Sequence, residues 1–220
     1  MQRIYYPPQT VLIPVLTNAI YFIPCFLLYK RKYLLESFDL LLLILFSSFH
    51  HLCNSERTLD YCIIDNPLNG NRLSLFDDLY AIYAIMNGFI LFYRLIYHLK
   101  VRIVLIGSCF MLYLFTNASV AGIYSVVSNI VIIFTLKYYC PDYINTFKIK
   151  VMIYSLVFFS SALYLKLNDS TVKDINGETN LYHFALYHSF WHILSGLSLS
   201  LLIISVSVPI IIISSNTIQI

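Results

Sequence analysis

Charge is scarce in this sequence. Lys, Arg, Asp and Glu supply 11% of 220 residues, where a soluble domain of this length carries about 25%. So few charges cannot cover a water-facing surface. With hydrophobic residues at 59% and a mean hydropathy of +0.75, the solvent must largely be lipid. The net charge of +3 is too small and too scattered for a nucleic-acid partner. The five cysteines stand at irregular spacings and form no zinc-ribbon pattern. The first apolar segment lacks a basic lead-in and a clear small-residue cleavage site, so it reads as a span and not as a signal peptide. No internal repeat or low-complexity tract is present. What the chain has in quantity is aromatic residues, 19 Tyr and 16 Phe, which suit a lipid-facing surface with interfacial rings.

A helical span needs about 20 apolar residues. Seven apolar segments fit, near 9–29, 36–53, 77–98, 102–117, 120–138, 151–167 and 184–213. Polar breaks separate them: Lys30-Arg31-Lys32, a long loop through Asn66 to Arg72, Lys100 and Arg102, Pro141 and Asp142, and Asn168 to Asn180. The break near Asn117 to Gly122 is the weakest, but its two flanking segments are together too long for one unkinked span. The expectation is an all-α polytopic membrane protein, a single seven-helix transmembrane domain over residues 1–220. Lys and Arg orient it. With the amino terminus exoplasmic, the cytoplasmic loops receive Lys30, Arg31, Lys32, Lys100, Arg102, Lys137, Lys148 and Lys150, and the carboxyl terminus is cytoplasmic. Cys53 and Cys62 would then bracket the start of the first outer loop, where a disulfide can persist; two unlinked thiols are the alternative. Asn168-Asp169-Ser170, a glycosylation acceptor pattern, would also lie outside.

The residues able to do chemistry fall in three clusters. Ser47 and His51, four apart, share a helix face at the end of the second span. Asp77 and Asp78 open the third. His188 and His192, again i and i+4, start the seventh, a spacing that lets two imidazoles address one metal ion. In the seven-span arrangement all three clusters reach the exoplasmic face. Ionisable groups in spans are costly and usually face the protein interior or a water-filled cavity. Three histidines with one open position form a zinc arrangement suited to catalysis. Plainer readings stand beside this one: a structural or interfacial His pair, a helix-packing Ser47, and aspartates that merely begin a helix. His50, His98 and His183 have no matching partner and are assigned to interface or packing.

The same residues resemble the superfamily of alkaline ceramidases and adiponectin receptors, seven-span zinc enzymes that hydrolyse lipid amides or related bonds. The closer resemblance is to the transmembrane protein 8 family, which includes the post-GPI-attachment phospholipase and myomaker. It rests on Phe-Ser-Ser-Phe-His-His-Leu-Cys (46–53), Tyr61-Cys62, the acidic start of the third span, Gly122-Ile123-Tyr124-Ser125 and His188-Ser189-Phe190-Trp191-His192. It covers roughly residues 40–205. The resemblance implies Zn²⁺ held by His51, His188 and His192, with Ser47 and an aspartate in the catalytic positions; that aspartate falls on Asp78 better than on Asp77. These 220 residues do not include a counterpart of the large extracellular region of the phospholipase relatives or of the cysteine-rich tail of myomaker.

Two functions follow from the resemblance. One is a zinc-dependent hydrolase acting on an acyl ester or amide of a membrane lipid, GPI-linked or phospholipid, at the exoplasmic side. The alternative is a myomaker-like, non-enzymatic role in cell–cell fusion or membrane remodelling with a structural zinc. The implied partners are the bilayer and its lipids. The expected location is the plasma membrane or the secretory pathway.

Overall fold

The computed structural model describes residues 8–53, 91–92, most of 103–139, 141, 146–169, 171–173, 177 and 180–207. The chain is helical and membrane-embedded. Six α-helices have described bounds, α1 (Pro8–Thr17), α2 (Phe22–Lys30), α3 (Leu34–Cys53), α4 (Ala118–Tyr139), α5 (Ile149–Asn168) and α6 (Leu181–Ser205), and the described residues between 103 and 115 are helical too. Among the described residues four stretches are long and apolar enough to cross a bilayer, Leu12–Lys30, Leu34–Leu52, Ile149–Asn168 and Tyr182–Ser205. They coincide with the first, second, sixth and seventh expected segments, and α4 covers the fifth. Large apolar side chains such as Phe22, Phe26, Phe38, Phe134 and Tyr154 point outward, as lipid contact requires.

The first span is not one regular helix. Pro14 lies inside α1, and its missing N–H breaks the i to i−4 ladder. The chain tightens into a 3₁₀ turn over Asn18–Tyr21 before α2 resumes. That turn is wedged inward. Asn18 is buried and donates from Nδ2 to Ser48 Oγ of α3 at 3.4 Å, while the Tyr21 hydroxyl meets Ser195 Oγ of α6 at 2.6 Å. Polar contacts of this kind hold helices together where lipid offers no hydrophobic drive. Ser155 of α5 and Ser198 of α6 do the same, each hydroxyl donating to the other's backbone carbonyl, at 2.7 and 2.8 Å.

Helix α6 approaches the 3₁₀ turn through Gly196. A methyl group there would lie 2.7 Å from Ile20 Cγ2 and 3.2 Å from Cγ1, inside van der Waals contact. Gly196→Ala is therefore expected to lower stability by about 1–3 kcal/mol, read as thermal unfolding in detergent. Ile20→Ala in the same chain should recover part of the loss; no recovery would mean that the clash is not the cause.

The chain closes α2 with a left-handed residue. Lys32 has φ +68°, Tyr33 N–H donates to Leu28 O and Lys32 N–H to Tyr29 O, the two bonds of a Schellman cap. This turn meets the far end of α6. The Arg31 guanidinium donates to Val206 O at 3.1 Å, and Lys148 N–H donates to Ser205 O at 2.7 Å. Two-residue strands β1 (Thr146–Phe147) and β2 (Val206–Ser207) pair antiparallel beside them. The seventh expected segment, 184–213, is thus shorter than its hydropathy implied: the helix ends at Ser205. Pro209 has no N–H to donate to Ser205 O, and Lys148 takes that carbonyl instead. Leu91 and Phe92, expected inside the third span, form a turn, with the Phe92 ring 4.4 Å from that of Phe147. Lys30, Arg31, Lys32, Lys148 and Lys150 gather at this basic pole. The histidines stand at the opposite ends of α3 and α6, about 25–30 Å away at 1.5 Å per residue.

Candidate metal centre

Two inward stripes build the centre. On α3 the side chains of Glu36, Leu40, Leu43 and Ser47 are buried, a 3.6-residue rhythm that brings His51 round next. On α6 Ala185, His188, His192, Leu199 and Ile203 are buried on the same rhythm, with Ser189, Ser198, Ser200 and Ser205 buried beside them. Packing of α3 and α6 against α1 brings the stripes together at the end away from the basic pole.

There His51, His188 and His192 meet. The ring centroids lie 4.8 Å apart for His51 and His188, 5.3 Å for His51 and His192, and 4.7 Å for His188 and His192. One ring nitrogen from each lies within 4.8 Å of the others. Tetrahedral ligation at about 2.0–2.1 Å would need nitrogens about 3.3 Å apart, so an ion would draw the rings closer together. His188 and His192 are 6% and 4% exposed.

The donor set itself fits a metal. His51 Nε2 is buried and has no hydrogen-bond partner. An orphaned buried polar atom costs about 1–3 kcal/mol, and such atoms are rare in native structures. The outward nitrogens of the other two rings are engaged. His192 Nδ1 lies 3.3 Å from Pro14 O and 3.2 Å from Thr17 Oγ1. The Thr17 hydroxyl donates to Ile13 O or Pro14 O, which leaves its oxygen to accept from the ring. His188 Nδ1 lies 3.1 Å from Asp169 Oδ2. An ionised carboxylate only accepts, so Nδ1 carries the proton there. Both engaged rings therefore turn the lone pair of Nε2 inward, toward the unpartnered nitrogen of His51.

Asp169 reaches His188 because the chain folds back after α5. Asn180 caps α6 by accepting from His183 N–H at 3.0 Å, and Asn180 N–H donates to Val172 O at 2.8 Å. Lys166 Nζ donates to Asp169 Oδ2 at 3.0 Å. Burial alone would raise the Asp169 pKa, but the His188 hydrogen bond and the Lys166 charge outweigh it and hold the carboxyl below its ordinary value. The same geometry weighs against glycosylation at Asn168. Its amide nitrogen donates to Tyr164 O at 2.7 Å, and Asp169 of the acceptor pattern is buried.

The expected residues are distributed as follows. The structure brings together His51, His188 and His192 and buries Ser47 one helical turn before His51. Asp78 and Asp77 lie outside the described residues, as do Cys62 and the side chain of Cys53, so the expected disulfide does too. Of the other histidines, His183 stacks on Tyr187 at 4.0 Å, a packing role. Sequence reasoning missed Asp169, Thr17 and the Pro14 carbonyl. Asp169 carried a signal, since the expected topology set the 168–180 loop at the face where His188 begins the last span. The Pro14 carbonyl carried none, because a backbone oxygen has no signature.

Among curated proteins no match to the chain is found. The family model of DUF3522, described as a protein of unknown function, matches residues 9–193, from the start of the first span through His192. The chain belongs to the DUF3522 family.

Proposed function

We propose that this protein is a zinc-dependent lipid hydrolase embedded in the membrane, cleaving an acyl ester or amide at the exoplasmic face. The observation that carries the reading is the orphaned Nε2 of His51 facing two imidazoles whose outer nitrogens are already engaged. His51, His188 and His192 would hold the ion. Zinc bound there supplies Lewis acidity toward a carbonyl oxygen or water. The chain's own groups do the rest. Asp78 takes the proton of the attacking water, and Ser47, buried on the same face as His51, binds a substrate oxygen. Lipid enters sideways between helices.

The orientation has support in the basic pole: five Lys and Arg residues gather at the end opposite the histidines, as expected for a cytoplasmic end. The reading takes the chain as seven spans, similar to the transmembrane protein 8 family, in the plasma membrane or secretory pathway. A second reading keeps the zinc but not the chemistry. Its ground is that the ligands come from two helices, so an ion held by His51, His188 and His192 would join α3 to α6 in a fusion or membrane-remodelling protein.

The deciding experiment uses purified protein in vesicles carrying phospholipid, ceramide or a GPI-linked lipid. The expected result is one zinc per chain and release of fatty acid that stops on chelation. A chain with no zinc sinks both readings. Zinc without turnover, together with mixing of otherwise non-fusing cells that express the protein, selects the second.

A further inference from the structure

We propose that Asp169 is a positioning residue for the metal centre: its carboxylate fixes the proton on His188 Nδ1 and so aims Nε2 at the ion. The inference rests on the metal reading above. It starts from an oddity of the membrane boundary. Asp169 is only 4% exposed in a chain with 11 acidic residues in all, and a buried carboxylate is costly unless paired and hydrogen-bonded. It is both. Lys166 Nζ at 3.0 Å and His188 Nδ1 at 3.1 Å converge on one oxygen, Oδ2.

Lys166 Nζ also lies 3.3 Å from His188 Nδ1. Two donors cannot bond each other, so Asp169 is the acceptor that lets both sit there. Lys166, with its side chain 43% exposed, faces the polar boundary and neutralises the carboxylate. His188, 6% exposed, faces the centre. The result is a relay of Lys166, Asp169 and His188 running from the boundary to the ligand set. Phe184 stacks on the His188 ring at 5.0 Å and limits its rotation from the other side.

The three rings are therefore held unequally. His192 rests on a neutral carbonyl and a hydroxyl, and His188 on a carboxylate. A carboxylate behind a ligating imidazole fixes its tautomer and strengthens it as a donor, and losing such a partner typically weakens metal affinity 10–100-fold. Asp169 thus makes His188 a stronger ligand than His192, its neighbour on the same helix.

The test is zinc affinity of the full-length protein in detergent, by competition with a chromophoric chelator, and the visible spectrum of the cobalt-substituted form. Asp169→Ala should bind zinc about 10–100-fold more weakly than wild type, with altered cobalt bands. Asp169→Asn, which keeps the shape, should fall between the two, and Asp169→Glu should recover part of the affinity. A role confined to helix packing would lower thermal stability in chelator yet leave the cobalt spectrum unchanged, and that outcome overturns the inference. So does a folded Asp169→Asn or Asp169→Ala that binds zinc within twofold of wild type. If wild type itself binds no zinc, the reading of the centre fails first, and His51→Ala will match wild type in the same assay.

Discussion

His51→Leu is expected to abolish stoichiometric zinc binding while leaving the apo protein as stable as wild type or more so. The two effects have opposite origins. Removing one of three ligands costs more than the 10–100-fold attached to an outer partner, so the site drops out of the range in which the protein is purified loaded. In apo wild type, however, His51 Nε2 is buried without a partner, a burden of about 1–3 kcal/mol. Leucine has a similar reach and no polar atom, so it relieves that burden without opening a large cavity. Zinc at a thousand times its dissociation constant would stabilise wild type by about 4 kcal/mol. Thermal unfolding in detergent should then show a large drop for wild type on adding chelator and no drop for His51→Leu. Equal chelator sensitivity in the two proteins would mean that zinc, if it acts, acts elsewhere.

That prediction depends on residues the sequence made visible and on an environment it did not. The three histidines were legible because i, i+4 spacing on an apolar helix is a local property, and because span counting set the ends of the second and seventh segments on one side. The meeting itself depends on α3 and α6 packing through α1 and the 3₁₀ turn. No local pattern announces that turn; only Pro14 hints at a break. Hydropathy located the spans but overran Ser205, since apolar residues continue to Ile213 while the Lys148 N–H and the Arg31 guanidinium take the Ser205 and Val206 carbonyls where the helix ends. Asp169 was read only as the middle of a glycosylation pattern, and only the fold shows its carboxylate buried against His188. A short pattern states which atoms are available, whereas burial and partners state how they are used. The basic pole is the opposite case: span counting put Lys30-Arg31-Lys32, Lys148 and Lys150 on one side, charge named that side cytoplasmic, and the structure gathers them at one end.

Asp78→Asn is expected to lower hydrolysis by a factor of about 10²–10⁴, the usual contribution of a positioned general base, and to leave zinc content and thermal unfolding unchanged. The amide keeps the size and the hydrogen-bonding reach of the carboxylate but cannot accept a proton from water. Asp77→Asn should leave turnover nearly intact, because adjacent residues of the third span expected from the sequence would point about 100° apart. Ser47→Ala should cost less than Asp78→Asn. A single hydrogen bond to a substrate oxygen contributes about 1 kcal/mol, roughly a fivefold change in rate. The comparison separates the two proposed functions on one protein preparation. If lipid cleavage requires the carboxylate of Asp78 and tracks zinc occupancy, then the ion and the carboxylate act on the same water. If Asp78→Asn and Asp77→Asn both turn over lipid at the wild-type rate, the proton goes elsewhere and the assignment of Asp78 is wrong. If no chain cleaves lipid while all hold zinc, the histidines tie α3 to α6 and the chemistry has no place in this centre. The order of measurement matters, because a loss of turnover carries meaning only where metal content has been shown equal.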